Sequence, residues 1–157
     1  MRTGPKALSR IYIDTRFSKD KSPLRDHAWL AYRPPDKRLS ECFCYYFEIT
    51  PVSYGYGLGM YDSHPAFMAD LRARAQAHPA RFEKVPGNTE LWTHFSLSGA
   101  DFARPKVPDA PPPAAKPVNK RYFSLIPHSN HLDRPYSPPF AAQLRPGFTR
   151  LAPPSRL

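Results

Sequence analysis

Glu-Cys-Phe-Cys-Tyr-Tyr-Phe-Glu-Ile-Thr-Pro-Val-Ser-Tyr-Gly-Tyr-Gly-Leu-Gly-Met-Tyr, residues 41–61, decides the fold of this chain. Glu41 to Thr50 alternates with a period of two. Phe43, Tyr45, Phe47 and Ile49 fall on one face, wholly apolar and directed to a core. Cys42, Cys44, Tyr46 and Glu48 fall on the other. Pro51 ends the run. Tyr54 to Tyr61 alternates again, with Tyr54, Tyr56, Leu58 and Met60 on one side and Gly55, Gly57 and Gly59 on the other. Glycine weakens a strand, so three on one face mark a place where something comes close to the backbone. The expected occupant is a close-packed helix, with a ligand as the alternative. The short link at Pro51 to Ser53 predicts that the two strands are antiparallel neighbours.

Working outward, Arg10 to Thr15 also alternates. Ile11 and Ile13 are set against Arg10, Tyr12 and Asp14, which predicts a half-buried strand. Ala28 to Tyr32 reads as a further strand, stopped by Pro34-Pro35. On the other side, Ser63 or His64 is placed to cap a helix whose first turn holds Pro65. Its inner face carries Phe67, Met68, Leu71 and Ala75, and Asp70 and Arg74 form a spaced pair outside. Pro79 starts a short second helix through Phe82. Phe95 to Leu97 and Tyr122 to Ile126 are short strands. Pro138 to Leu144 is a terminal helix broken at Pro146-Gly147, with Phe148 and Leu151 packing back on the core. Strands first, helices after and short links predict an α+β domain around an antiparallel sheet.

The whole chain, residues 1–157, is the size of one domain. It holds 21 prolines in 157 residues, against a usual ~5%. They cluster in Arg104 to Pro117 and Pro135 to Pro154, so the last third reads as short elements between rigid turns, with 105–118 as a proline-rich loop and 1–8 as disordered. Lysine and arginine outnumber aspartate and glutamate by 23 to 13, a net charge of +10. That suits anionic partners, or simply a basic solvated surface. No secretory signal begins the chain, and no stretch approaches the ~20 apolar residues of a membrane span. Cys42 and Cys44 do not make a disulfide framework, so a reducing cytoplasm is the expected setting.

The densest chemistry lies in the packet Arg16 to Lys21. As an anion-binding loop, Arg16, Lys19 and Lys21 supply charge and Ser18 a hydroxyl donor, arginine clamping a phosphate or carboxylate with paired hydrogen bonds. As a structural web, Asp14, Asp20 and Asp26 neutralise those cations in exposed pairs worth only ~0–1 kcal/mol each. A general acid or base is available in Glu48, Asp14 or Asp20, should one be partly buried beside a cation.

Other sites fail on spacing. The glycine strand lacks the third glycine of a dinucleotide loop, and no lysine is followed by serine or threonine as a phosphate loop requires. Cys-x-Cys with Glu48 has the wrong spacing for zinc, and His128 and His131 lack a partner glutamate, so neither metal nor cofactor is expected. No nucleophile elbow is present. The tyrosines fall on core-like faces without a nucleic-acid motif, which argues against single-strand binding by stacking.

Several separated motifs, in order, carry a resemblance. Ser9 to Ser22, then Tyr46-Phe47-Glu48-Ile49, the Tyr54-to-Tyr61 strand, Arg104-Pro105-Lys106, Asp133-Arg134 with Ser137-Pro138, and Leu151 to Pro153 together resemble a bacterial family catalogued as domain of unknown function 2461. The resemblance implies a fold and no activity, since the family is itself uncharacterised. Members place a helical segment before the Arg-Ile-Tyr run, where only eight residues precede Ser9 here. The resemblance therefore implies a partial domain, with uncovered apolar surface near Ile11 and Ile13 and a tendency to associate. Two functions fit the residues. One is a non-catalytic binding or interaction domain whose loop engages an anionic ligand through Arg16, Ser18, Lys19, Asp20, Lys21 and Glu48. The other is a metal-free enzyme acting on a small phosphorylated or carboxylated substrate.

Overall fold

The computed structural model describes residues 7–12, 16, 22–60, 64–85, 87–127 and 139–153. Five strands, β1 (Ala28–Tyr32), β2 (Cys44–Ile49), β3 (Tyr54–Gly59), β4 (Phe95–Ser98) and β5 (Ser124–Pro127), form one antiparallel sheet in the order β1-β2-β3-β5-β4. Among the described residues five α-helices accompany it, α1 (Pro65–Ala77), α2 (Pro79–Glu83), α3 (Thr89–His94), α4 (Pro112–Val118) and α5 (Phe140–Arg150), with one 3-10 turn at Leu39–Glu41. The α+β class expected from the order of elements is the one observed.

The β2–β3 hairpin closes as its sequence requires. Thr50 N donates to Ser53 O at 2.8 Å, and the Thr50 hydroxyl accepts from Val52 N and Ser53 N at 3.2 and 2.9 Å. A β-branched residue with a hydroxyl thus ends one strand and satisfies the amides of the turn.

One face of the sheet carries the core. Phe43 meets Phe67 edge-on, 5.3 Å between ring centres, and Phe123 at 5.0 Å. Leu58 and Leu125 pair across β3 and β5 and are buried with Met68 and Leu71 of α1, Phe82, Leu91 and Val118. Full burial of such side chains contributes roughly 1.5–3 kcal/mol each. The α1 cap is the expected one: the His64 ring accepts from Phe67 N at 3.3 Å, and Pro65 takes the first position. Asp70 and Arg74 pair at 2.6 Å.

Four expectations need correction. Arg10 to Tyr12, the described part of the strand expected over 10–15, is not a strand. Tyr12 makes an isolated bridge with Leu24, and Arg25 N donates to Ile11 O at 2.9 Å. Ile11 and Tyr12 are 62% and 72% exposed. Alternation reports two faces but not whether anything covers them, and this pairing lies beyond the end of β1. Ala7, within the stretch expected to be disordered, is buried, and Leu8 bridges Leu30. Ser9 N donates to Trp29 O at 2.8 Å and Ala31 N to Ala7 O at 2.9 Å, so residues 7–9 run antiparallel along the outer edge of β1, and Ile11 and Tyr12 continue beside the residues that precede it.

The proline-rich stretch 105–118 is not all loop, because α4 occupies its second half. Prolines at 111–113 are suited to a helix start, where the amide hydrogens they lack would have no partner in any case. Finally, α5 runs through Pro146 to Arg150 instead of breaking. Pro146 is exposed, as is Ala142, so water can reach the carbonyl that loses its helical bond. Gly147 lies against Tyr56, where a methyl group would come within 2.6 Å of the tyrosine oxygen. The helix continues because its glycine lets it seat on the sheet. Phe148 meets the Tyr45 and Tyr56 rings at 5.9 and 5.3 Å, and Leu151 is fully buried, as expected.

A candidate groove on the open face of the sheet

The described helices pack on the Phe47–Leu58 face, and the opposite face carries a groove of about 400 Å³. Its lining follows from strand periodicity. Arg25, His27, Trp29 and Ala31 are two residues apart and point to one side of the edge strand and its lead-in. Register then sets Trp29 opposite Glu48 and Ala31 opposite Tyr46. Cys44 faces Gly59, Tyr46 faces Gly57 and Glu48 faces Gly55, while Gly59 faces Ser124 on its other side.

The alternation predicts a helix over the three glycines, but among the described residues no helix covers them. The Tyr46 ring lies over Gly57. A methyl group there would stand 3.0 Å from Tyr46 Cε1 and from its hydroxyl oxygen, and 2.1 Å from Leu125 O. At Gly59 it would meet Ser124 Oγ at 2.0 Å, whereas at Gly55 it would meet nothing within 4 Å. Glycine therefore lets one aromatic ring and a neighbouring strand settle onto the backbone, and it keeps the groove floor low.

Two ionisable groups of this floor, Cys44 and Tyr46, hold their protons. Burial, reinforced by the nearby Cys42, pushes the Cys44 thiol up to about 11, and the thiol donates to Gly59 O at 3.4 Å. Burial, with the Glu48 carboxylate next in importance, pushes the Tyr46 hydroxyl up to about 12. The Cys42 thiol is also raised, by burial, and donates to Arg38 O. Neither cysteine is an activated nucleophile, since the thiolate is the reactive species. Glu48 is half-buried in the groove. At its edge His27 Nδ1 donates to Asp26 Oδ1 at 2.7 Å, and this bond holds the Asp26 carboxyl below its usual range. The groove thus combines hydrogen-bond donors, one carboxylate, a cationic arginine and a titratable imidazole against Trp29. Among the described residues no group of three or more metal-ligating side chains occurs.

The residues expected to form the site fall out unequally. Glu48 lies in the groove. Arg16 is exposed and makes interactions of its own. Ser18, Lys19, Asp20 and Lys21 lie outside the described residues. The Tyr12–Leu24 bridge closes the segment that contains them, and Arg25 follows that bridge directly. Arg25, His27, Trp29, Tyr46 and Ser124 were not anticipated as site residues. The period-two spacing from Arg25 to Ala31 was a usable signal, but the register joining that face to Glu48 was not.

The model of the family described as conserved hypothetical protein (DUF2461) matches residues 1–156. No curated protein and no solved structure matches the chain. No helix among the described residues is long and apolar enough to cross a membrane.

Proposed function

We propose, starting from the fact that the chain belongs to the DUF2461 family of conserved hypothetical proteins, that it is a binding domain holding a small anionic ligand in the groove on the open face of its sheet. The observation that carries this reading is the state of the groove floor. Cys44 and Tyr46 keep their protons and offer neutral surfaces and a donor, while Arg25 supplies positive charge and the His27 ring a further hydrogen-bonding edge. Such a lining orients and neutralises an anion without attacking it. Glu48 accepts a hydrogen bond from the ligand's own donor. Arg16, Ser18, Lys19, Asp20 and Lys21, of which only Arg16 is among the described residues, remain candidate partners of the same anion on the strength of their sequence. Two free buried thiols suit a reducing cytoplasm.

One observation favours catalysis on a small phosphorylated or carboxylated substrate: the half-buried Glu48 shares a cleft with a histidine and a protonated tyrosine, a set that can move a proton.

Anion titrations followed by thermal melting separate these readings from a purely structural role. Phosphate or sulfate is expected to raise Tm in a saturable way. Arg25→Ala with His27→Ala should abolish that rise while the melt without anion changes little, and Arg16→Ala with Lys19→Ala should weaken it. Equal losses with and without anion would make these charges structural. For the enzyme, Glu48→Gln should preserve binding and remove turnover of a substrate found by screening; for the binding domain, no turnover exists to remove.

A further inference from the structure

We propose that the protein carries a second ligand site, separate from the groove, for a small apolar acid: an anionic head held by Arg72, Lys106 and Arg121 around Phe102, and an apolar body in the adjoining slot. Three cations converge on one ring. The Arg72 guanidinium carbon lies 5.2 Å from the Phe102 ring centre, the Lys106 ammonium 4.9 Å and the Arg121 guanidinium carbon 6.0 Å. One cation over an aromatic face is ordinary. Three gathered on the same ring repel one another, and the ring cannot neutralise them.

The neighbouring acids do not resolve this. Asp101, next to Phe102, is taken by Lys120 at 3.1 Å, and Asp70, two residues before Arg72, by Arg74. Among the described residues none of the three cations has a carboxylate at ion-pair distance. Arg72 is held in place by backbone. Its Nε donates to Val118 O and its Nη2 to Lys120 O, both at 2.8 Å, which leaves Nη1 for another acceptor. Burial also lowers the Arg72 pKa, a penalty that an anionic partner would offset.

Arg72 and Lys106 also line a slot of about 300 Å³ between α1, α2, α4 and the stretch before α4. Ala75, Phe82, Val107, Ala114 and Val118 give it apolar walls. Positive charge beside an apolar slot fits one carboxylate on a short hydrocarbon body. Glu83 and Asp109 line the slot as well, and neither is at ion-pair distance from Arg72 or Lys106 among the described residues. They disfavour a second negative charge on the ligand.

Hexanoate and its dianionic analogue adipate are the probes, read by thermal melting and calorimetry on the whole chain. Hexanoate is expected to raise Tm with concentration and adipate to do so several-fold less. Lys106 and Arg121 are exposed, so Lys106→Ala with Arg121→Ala should leave the unliganded melt nearly unchanged and remove the hexanoate shift. Arg25→Ala with His27→Ala should keep it, which separates this site from the groove. Absence of a hexanoate shift, or a shift undiminished in the Lys106/Arg121 variant, overturns the site. An adipate shift equal to that of hexanoate overturns its assignment to a monoanion.

Discussion

Tyr46 lies across Gly57, with its Cε1 and hydroxyl oxygen each 3.0 Å from where a β-carbon of residue 57 would stand. Because the carbonyl of Leu125 would also be only 2.1 Å away, Gly57→Ala has to move backbone as well as a ring. A cost of about 3 kcal/mol is expected, the upper end of overpacking effects. Gly55, open on the same face, provides the control. Gly55→Ala should be neutral or stabilise by up to ~1 kcal/mol, through the unfolded chain. Urea unfolding of the two variants checks both, and a Gly57→Ala protein as stable as the parent would mean that Tyr46 does not rest on the strand.

The Cys44 thiol and the Tyr46 hydroxyl impose a pH dependence with a definite sign. Both are acids whose folded pKa is raised, from 9.0 to about 11 and from 10.0 to about 12. The unfolded chain releases these protons first, so it binds fewer than the folded chain above pH 9. Stability is then lost as pH rises through about 9 to 12 and is fully present below that window. A tenfold change in an acid's ionisation constant is worth about 1.4 kcal/mol, so Cys44→Ala should flatten the decline between pH 9 and 11 by roughly 1–3 kcal/mol. Urea melts across that range measure it. At pH 8 both thiols should react with a disulfide reagent far more slowly than in the denatured chain.

How far the sequence could be read depends on what each signal encodes. Alternation in residues 43–49 and 54–60 reports local backbone period, and two strands, their faces and their pairing follow from it. The capping chemistry of His64-Pro65 is equally local. By contrast, Ile11 and Ile13 alternate like core residues, yet Ile11 is exposed, because cover is a property of distant segments. The proline rule failed twice for the same reason: Pro111 to Pro113 stand at a helix start and Pro146 on a solvent face, where a missing amide hydrogen costs little. In the groove, the half carried by β2 was legible as a shared face of Cys44, Tyr46 and Glu48. The half carried by Arg25, His27 and Trp29 required the β1–β2 register. The cations around Phe102 are 72, 106 and 121 in sequence, and nothing local connects them.

Leu151 is fully buried beneath the sheet just after α5, and the Tyr45 hydroxyl donates to its carbonyl at 3.5 Å. Leu151→Ala should cost about 2–5 kcal/mol, the range for a buried leucine leaving a cavity. Because α5 seats on β3 through Gly147 and Tyr56, Gly147→Ala should destabilise in the same way, by about 1–3 kcal/mol. Thermal melts of the two variants test whether the last helix is part of the core; values within ~0.5 kcal/mol of the parent would show that it is not.

Asn119 is the residue on which the shape of the second site depends. Its side-chain oxygen accepts from Lys106 N at 2.7 Å and Val107 N at 2.8 Å, and its amide nitrogen donates to Val107 O at 3.1 Å and Ala115 O at 3.0 Å. One side chain thus ties the stretch that carries Lys106 to the end of α4. Asn119→Ala leaves two amides and two carbonyls without these partners, at a net cost of roughly 2–6 kcal/mol if about 0.5–1.5 kcal/mol is lost for each bond. Asn119→Asp keeps the two accepting bonds but sets a carboxylate oxygen against the carbonyls of Val107 and Ala115, so it should cost at least as much as Asn119→Ala. If Lys106 owes its position to this clamp, hexanoate affinity should fall in the same order as stability. It should fall further than in Lys106→Ala alone, because Val107 and the slot wall move as well. Calorimetric titration of the parent and the three variants, each well below its own Tm, gives the comparison. Unchanged affinity in Asn119→Ala would show that the slot keeps its shape without the clamp.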